Sequence, residues 1–344
     1  MSPDMRHGSS RHWYPALSIA LCVASCCGRD HPSPAPSPLP SLSASSPGTS
    51  SPPLGRDAAV AAIRSSPFAA SLPALDKALL PVVRIDARAA DPADIPVGAS
   101  HFGGLPDVPP GFAWPRFKSI PLGLLAQVRM QDVPEQARDG LPASGWLLFF
   151  YEMQAGTWGF DPKDRDSFRV VYVDSPAADL VRTQPPPELP EASRALRWSA
   201  LSFAAGVSLP DPSDSAFDAL GVNLDADEAE QQYRALADRI AGQGPSDSYH
   251  HLLGYPQVIQ NDMRIEAQLA SHGVYVGGPR GYEGAQAGAL EAGKADWVLL
   301  LQLDTDESGP GWMWGDSGTL FFWIRKQDLA ARNFGAAWMI LQCY

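Results

Sequence analysis

Apolar residues recur along the chain from Arg56 onward in short runs that Gly, Pro and Asp interrupt. Runs of this length, rich in branched and aromatic side chains, are typical of β-strands. Several of the gaps between them have the length of hairpin loops, which favours antiparallel pairing. We predict strands at 123–130, 145–152, 168–174, 297–304, 318–325 and 336–343, and a further strand that begins at Pro81.

Helical periodicity is confined to fewer segments. The segment 225–242 begins with acidic residues, places Tyr233, Leu236 and Ile240 on one face, and ends at Gly242. This arrangement predicts an amphipathic helix. Shorter helices are predicted for "DAAVAAIR", "PALDKALL" and "QDLAARN". The mixture predicts an α+β protein with mostly antiparallel sheets and a few helices.

Two of the predicted hairpins resemble each other. "LLAQVRM" is followed by a loop and "GWLLFF", and "LLLQLDT" is followed by a loop and "GTLFFW". In each case an apolar strand carries a Gln, and a Gly opens the aromatic strand that follows. Gln127 therefore aligns with Gln302, and Gly145 with Gly318. The pattern predicts an internally duplicated domain.

Glutamines also end two further apolar runs, at Gln260 and Gln342. A buried Gln must find hydrogen-bond partners or cost about 1–3 kcal/mol. Two interpretations are open: the amides bind nearby backbone at loop ends, or they converge on a polar cleft between the two halves. The second interpretation predicts a cleft bordered by Gln127, Arg129, Gln260, Gln302, Asp304, Trp314 and Asp316.

Several separated motifs resemble one family. "HFGGLPDVPPGFAWP", "PLGLLAQVRMQDVP", "LPASGWLLFF", "HLLGYPQVIQNDM", "WVLLLQLDTDE" and "WGDSGTLFFWIRKQDL" occur in the order seen in YwqG-like proteins, the bacterial domain of unknown function DUF1963. The resemblance covers about 100–344. It implies an α+β fold with internal duplication and carries no established activity with it.

The first residues have the pattern of an export signal. Arg6 and Arg11 precede "PALSIALCVAS", an apolar stretch well short of the roughly 20 residues that span a bilayer. The "VASC" that ends it resembles the bacterial lipobox, which would make Cys26 the lipidated first residue after removal of 1–25. An ordinary signal peptide, or lipidation at Cys27, is the alternative.

The segment 26–55 is rich in Pro and Ser and poor in large apolar side chains. Such a composition cannot offset the entropy of ordering, so we predict a disordered linker. The folded YwqG-like domain is predicted at 56–344. A lipoprotein signal and a tether together predict a membrane-anchored protein of the cell envelope. The outer membrane is the default location because no Asp follows Cys26, and the leaflet stays open.

Composition narrows the partners. The 26 basic and 38 acidic residues give a net charge of −12, which disfavours nucleic acid and anionic lipid headgroups as partners. Three of the four cysteines lie in the first 27 residues, and the fourth is Cys343. The domain therefore has neither a cysteine pair for a disulfide nor a metal-binding cysteine spacing.

The "GDSG" at 315–318 resembles the nucleophile motif of trypsin-like proteases. The next residue is Thr319 rather than Gly, no "AAHC" segment occurs upstream, and few residues follow. We therefore interpret the motif as a turn that enters a strand, with Gly318 free to adopt unusual backbone angles.

The acidic "DTDESG" matches only the first half of a calcium loop. Asp304, Asp306 and Ser308 have EF-hand spacing, but Gly315 stands where the closing Glu is required. We expect no cofactor. A looser Ca²⁺ site completed by Asp316 is the alternative to an acidic hairpin in water.

The histidines and tryptophans are assigned to structure. No zinc site is expected from the four histidines of the domain, and "HHLLGYP" is interpreted as a turn. The C-terminal tryptophans are interpreted as core residues, with an aromatic ligand groove as the alternative. The residues in question are His101, His250, His251, His272, Trp312, Trp314, Trp323 and Trp338.

The leading functional hypothesis is a lipid-anchored, non-enzymatic module that binds a protein or a small ligand. The first alternative is a hydrolase of envelope polymers that uses Asp304, Asp316 or Glu266 as acid or base. A weaker alternative, based on analogy alone, is protection against a secreted toxin.

Overall fold

The computed structural model describes residues 51–226, 228–244 and 248–344. These residues belong to one compact unit, 49–344. The predicted signal peptide, Cys26 and most of the predicted linker lie outside the described residues. The segment from Ser51 is seated on the domain: the Leu54 N–H donates to the Ile240 carbonyl at 2.8 Å, and its carbonyl accepts from Val207.

Helices and strands alternate irregularly along the chain, and the labels used below follow chain order. The strands are β1 Leu80–Ala89, β2 His101–Phe102, β3 Asp107–Val108, β4 Arg116–Phe117, β5 Ile120–Pro121, β6 Gly123–Arg129, β7 Trp146–Tyr151, β8 Phe168–Val173, β9 Val181–Arg182, β10 Ser199–Ser208, β11 His250–Leu253, β12 Trp297–Asp304, β13 Thr319–Arg325 and β14 Trp338–Gln342. The α-helices are α1 Arg56–Arg64, α2 Leu72–Ala78, α3 Glu191–Arg194, α4 Ser215–Asp218, α5 Ala229–Ala241, α6 Met263–Ser271, α7 Ala285–Leu290 and α8 Lys326–Ala330.

Ten of the strands form one antiparallel sheet, in the order β14-β13-β12-β11-β1-β10-β2-β6-β7-β8. Two long strands, β1 and β10, pair at its centre. The order outward from β1 (β11, β12, β13, β14) mirrors the order outward from β10 (β2, β6, β7, β8). We call 80–182 the first half and 199–342 the second half. Strand β1, which opens the first half, pairs with β11 of the second half, and β10, which opens the second half, pairs with β2 of the first. These two pairings join the halves.

A buried glutamine makes the same hydrogen bonds in each half. The Gln127 Oε1 accepts the Asp107 N–H at 2.7 Å, and its Nε2 donates to the Ala99 carbonyl at 2.9 Å. The Gln302 Oε1 accepts the Gln257 N–H at 3.0 Å, and its Nε2 donates to the Tyr249 carbonyl at 3.1 Å. These bonds confirm the predicted duplication.

The same irregularity also recurs in both halves. A register shift interrupts the β6–β7 ladder between Leu124 and Ala126, and another interrupts the β12–β13 ladder between Leu299 and Leu301. Shifts at equivalent points of two ladders bend each hairpin in the same place.

Aromatic residues of the two halves meet in the main core. Phe149 of β7 packs edge-on against Phe322 of β13, with ring centroids 5.2 Å apart. Phe168 of β8 contacts Trp338 of β14 at 5.4 Å. The C-terminal tryptophans are buried in or beside this core, as interpreted from the sequence.

Helices and loops cover the remaining faces. Helices α1, α2 and α5 form a separate apolar cluster over β10, which includes Ile63, Leu75 and Tyr233. A third cluster around Trp146 and Phe150 covers the outer face of the first half. No helix among the described residues is long and apolar enough to cross a membrane.

The predicted α+β class with a mostly antiparallel sheet is confirmed. The six predicted strands correspond to β6, β7, β8, β12, β13 and β14, with ends that differ by at most two residues. Two predictions were wrong in detail. The helix α5 begins at Ala229 because Glu228 has a left-handed backbone (φ 66°). The "HHLL" interpreted as a turn is β11, and its strand pairing with β1 and β12 outweighs its weak local signal.

The buried glutamines should carry a large share of stability. We expect Gln302→Ala to lower the free energy of unfolding by about 2–4 kcal/mol, because it leaves a buried N–H and a carbonyl without partners. Gln127→Ala should have a similar cost. Urea unfolding of the full chain, followed by Trp fluorescence, measures both. Gln136→Ala, at an exposed position, is the control and should change stability by less than about 0.5 kcal/mol. Equal effects of Gln136→Ala and Gln302→Ala would contradict this role.

Candidate functional site

The loops beside the buried glutamines are the second duplicated element. They are "HFGGLPDV" at 101–108 and "HLLGYPQV" at 251–258, so that each residue lies 150 positions from its counterpart. Their first six residues share one burial pattern, residue by residue. The patterns part at the seventh residue: Asp107 and Val108 are fully buried, whereas Gln257 and Val258 are partly exposed.

Each loop begins with a buried histidine in the same setting. The Nδ1 of His101 bonds to the Gly103 carbonyl at 2.9 Å, and the Nδ1 of His251 bonds to the Leu253 carbonyl at 2.8 Å. Burial lowers the pKa of both imidazoles to about 4. Both therefore stay neutral at physiological pH, with the ring proton on Nδ1. Gly103 and Leu253 share a left-handed backbone, with φ of 62° and 58°.

In the first half an arginine closes the space beside this loop. Strand β9 pairs with β3, so that Arg182 lies opposite Asp107. The guanidinium donates to the Asp107 carboxylate at 3.1 Å and to the Ile95 carbonyl at 3.0 Å. The guanidinium also lies over the Trp198 ring, with its Cζ 4.7 Å from the ring centroid. A buried carboxylate, a backbone carbonyl and an aromatic face thus enclose one cationic side chain.

In the second half the equivalent space is open. A cleft of about 270 Å³ lies against Tyr255–Ile259, the counterpart of the segment that β9 covers. The residue above the loop is also smaller: a Cβ at Gly104 would meet Trp198, whereas a Cβ at Gly254 would meet Val82. The cleft is lined by Ser208, Leu209, Asp211, Pro212, Arg234, Ala237, Asp238, Ala241, Gln243, Tyr249, Tyr255, Pro256, Gln257, Val258, Ile259, Asp304, Thr319 and Tyr344.

The cleft wall carries more negative than positive charge. Asp211, Asp238 and Asp304 face one arginine, Arg234, which already forms ion pairs with Asp211 and with Glu230. Burial, followed by the charge of Asp211, raises the pKa of Asp238. Burial also raises the pKa of Tyr255 to about 12, so that its hydroxyl stays protonated. The cleft therefore offers carboxylates, amides and a phenol to a ligand.

Asp304 shapes the cleft floor through three hydrogen bonds. Its carboxylate accepts from the Tyr249 N–H at 3.1 Å, the Thr305 N–H at 2.8 Å and the Thr319 hydroxyl at 3.0 Å. Its own N–H donates to the His250 Nδ1 at 3.1 Å. The carboxylate is thus committed to holding β12 against β13 and the start of β11.

The acidic loop after Asp304 is organised by Asp306. Its carboxylate accepts from the Gly309 N–H at 2.7 Å and from the Ser308 hydroxyl at 2.9 Å. Because Asp304 donates to its Nδ1, His250 carries its proton on Nε2, which faces Asp306 at 3.4 Å. Burial would raise the pKa of Asp306, but the bonds from His250 and the loop outweigh it and bring the value to about 2.

The predicted cleft residues are distributed over several places. Asp304 lines the cleft. Gln302 does not line it, but its Oε1 accepts the N–H of the lining residue Gln257. Gln260 is exposed and donates to the Cys343 carbonyl at 2.9 Å, next to the lining segment. Asp316 is exposed on the turn before β13.

The other predicted residues lie elsewhere. Gln127 and Arg129 belong to the first half, where Arg129 forms an ion pair with Asp132 at 3.6 Å. Trp314 is buried against Trp312, with ring centroids 5.2 Å apart. The "GDSG" segment is a turn: the Gly318 N–H donates to the Trp314 carbonyl, and a Cβ at Gly318 would collide with the Gln342 carbonyl.

Glu266, the third predicted acid–base residue, is buried in α6. Its Oε1 accepts from the Asn261 amide at 2.6 Å and from the Tyr282 hydroxyl at 3.0 Å. Its Oε2 has no hydrogen-bond partner among the described residues. Burial raises the pKa of Glu266 to about 7, although the two donors act in the opposite direction.

Sequence reasoning missed Asp107, Arg182, Tyr255 and Gln257. The signal that could have found them is the second repeat, since "HFGGLPD" aligns with "HLLGYPQ" and exposes the change from Asp107 to Gln257. Arg182 carries no signal of its own, because its partner lies 75 positions away in the sequence.

Three observations concern metal binding and similarity to known proteins. Within 51–226, 228–244 and 248–344 there is no group of three or more His, Cys, Asp or Glu side chains placed to hold a metal ion. The model of the family described as "Domain of unknown function (DUF1963)" matches residues 100–343. A search of curated proteins finds no match.

The buried Glu266 should make stability depend on pH. Its folded-state pKa lies above its unfolded value of 4.5, so the folded state holds a proton that the unfolded chain has lost. The contribution of Glu266 to stability is then greatest below about pH 4.5 and is lost as pH rises to about 7. We expect Glu266→Gln to remove this loss and to gain about 3 kcal/mol relative to the parent between pH 4.5 and pH 8.

Urea unfolding at a series of pH values measures the effect. Glu283→Gln, at an exposed position, is the matched control and should keep the pH slope of the parent. An unchanged slope in Glu266→Gln would show that Glu266 does not titrate in this range.

Proposed function

Because this chain belongs to the DUF1963 family, whose description names no activity, we propose its function from the site itself: a lipid-anchored, non-enzymatic module that binds a ligand in the cleft of its second half. The ligand lies against Tyr255–Ile259 and below α5.

The difference between the two halves carries the proposal. In the first half Arg182 and β9 occupy the space beside the loop, and Asp107 is fully buried. In the second half Gln257 borders an open cleft of about 270 Å³. An open concave space with a few polar groups on its wall is the kind of place where proteins bind ligands, and the second half alone keeps this space open.

Binding accounts for the cleft chemistry better than catalysis. The Asp304 carboxylate accepts three protein hydrogen bonds, which leaves little capacity for proton transfer. Asp316 and Glu266 do not line the cleft. Burial raises the pKa of Glu266 to about 7, a value that suits acid–base chemistry, but this side chain lies in α6 and not in the cleft wall. The hydrolase, the loose calcium site and the toxin-protection role stay predictions.

The proposed location comes from the chain before the domain. The apolar stretch, the "VASC" that resembles a lipobox and the Pro/Ser-rich segment together support a lipid anchor at Cys26. The anchor keeps the domain at an envelope membrane, and the linker gives the cleft reach toward a ligand.

A ligand of the cleft should raise the melting temperature of the full chain. At a hundredfold its dissociation constant it adds about 2.7 kcal/mol, which is several degrees for a domain of this size. The measurement is a thermal-shift series with peptides, sugars, nucleotides and Ca²⁺. Ala237→Trp, which fills the cleft from α5, should abolish the shift. Ala235→Trp, on the exposed face of the same helix, should preserve it. A shift that survives Ala237→Trp would place the ligand elsewhere.

Lipidation is tested separately. We expect Cys26→Ala to move the protein from the membrane fraction to the soluble fraction of expressing cells, because it removes the acyl-bearing thiol. Cys27→Ala is the matched control and should leave the protein with the membrane. Fractionation that does not respond to Cys26→Ala would exclude this residue as the anchor.

A further inference from the structure

We infer that the cleft of the second half binds an extended peptide segment with an arginine side chain, in the way that the first half binds its own β9. This inference rests on the proposed function and adds the class of ligand. The model for the bound peptide is the chain itself, at 180–183.

The internal segment shows how such a peptide is held. Val181 pairs with Val108, and Arg182 pairs with Asp107, in antiparallel register. The Thr183 N–H then donates to the Pro106 carbonyl at 2.9 Å. The segment is thus recognised through its backbone and through one cationic side chain.

The second half presents the matching backbone edge, where the side chain of Gln243 accepts a hydrogen bond from the Gln257 Nε2. Its counterparts of Pro106, Asp107 and Val108 are Pro256, Gln257 and Val258, and all three line the cleft. No strand in the described part of the chain pairs with them, and the β3–β9 pair has no equivalent there. Adding a strand to an unpaired edge is an established mode of peptide recognition.

The charge of the cleft selects the side chain. Asp211, Asp238 and Asp304 line the cleft, and Asp211 is paired with the one lining arginine, Arg234. Asp238 and Asp304 form no ion pair in the described part of the chain. A guanidinium that displaces the Gln243 amide from Gln257 meets this negative field, as Arg182 meets Asp107 in the first half. It is planar and offers several donors to carboxylate and carbonyl oxygens.

Gln257 explains why the second site exchanges its ligand. The Gln257 Oε1 accepts from Gln302 at 2.8 Å, as the Asp107 Oδ2 accepts from Gln127 at 3.1 Å. The amide is neutral and its Nε2 donates to the Gln243 Oε1, so Gln257 forms no counterpart of the Arg182–Asp107 ion pair, and an entering guanidinium is held by the other carboxylates of the cleft. Weaker pairing suits a site that binds and releases an external segment.

The test uses the capped peptide DLVRTQ, which copies 179–184, and the full chain in detergent micelles. Isothermal titration measures its dissociation constant. We expect binding that weakens at least tenfold when citrulline replaces the arginine, and at least tenfold when the peptide is reduced to capped arginine alone. Ala237→Trp should abolish binding, and Ala235→Trp should leave it unchanged.

Gln257→Asp gives a readout in the opposite direction. Because Asp107 occupies the equivalent position with the same glutamine partner, this variant should fold and should bind the peptide at least fivefold more tightly. Gln257→Asn, which keeps the side chain neutral, should not tighten binding.

The outcomes separate the two proposals. Absence of peptide binding to the parent and to Gln257→Asp, together with another ligand whose thermal shift Ala237→Trp abolishes, overturns this inference and leaves the proposed function in place. Equal binding of the arginine and citrulline peptides overturns the role of the guanidinium. Peptide binding that survives Ala237→Trp places the peptide outside the cleft and overturns both.

Discussion

A polar side chain inside a sheet must have hydrogen-bond partners for its donors and acceptors, and this requirement positions the loops of both halves. Gln127 and Gln302 lie on buried strands, where an unpaired amide would cost about 1–3 kcal/mol. Each amide binds one backbone N–H and one backbone carbonyl of the neighbouring loop. The requirement therefore fixes the loop against the sheet, and in the second half that loop is the wall of the cleft.

Because the two halves are duplicates, each loop can be compared with its counterpart in the other half. The two loops keep the same glutamine bonds, buried histidine and left-handed residue, so the chain has preserved what positions them. They differ where Asp107 is replaced by Gln257 and Trp198 by the smaller Val82. Arg182 binds the carboxylate of Asp107 and the ring of Trp198, and the second half has neither group at the equivalent positions. The contrast between a filled space in the first half and an open cleft in the second thus follows from a few side chains on a shared framework.

The strands were readable from the sequence where large apolar residues mark them, as in β7, β13 and β14. The central strand β10 was not, because its small residues, in "SALSFAAGVS", form no alternating pattern; it is a strand because β1 pairs with it along ten residues. The glutamine repeat predicted the duplication, and Asp304 was predicted as a site residue and lines the cleft. Tyr255 and Gln257 could have been found from the repeat at 101–107 and 251–257, but the other lining residues could not, since α5, β11 and β12 come together only in the folded chain.

Hydrogen bonds to the sheet fix the cleft wall without a ligand, and this affects how tightly a small ligand can bind. The Gln342 Oε1 accepts the N–H groups of Ile259 and Gln260, each at 3.1 Å, and Gln302 holds Gln257. Ordering a mobile loop on binding would consume part of the interaction energy, and a loop already bonded to the sheet avoids that cost. An extended segment loses its own conformational entropy but meets a prepared edge. If the cleft binds the proposed peptide, this prepared wall favours reversible binding of a short segment without the buried ion pair that closes the first half.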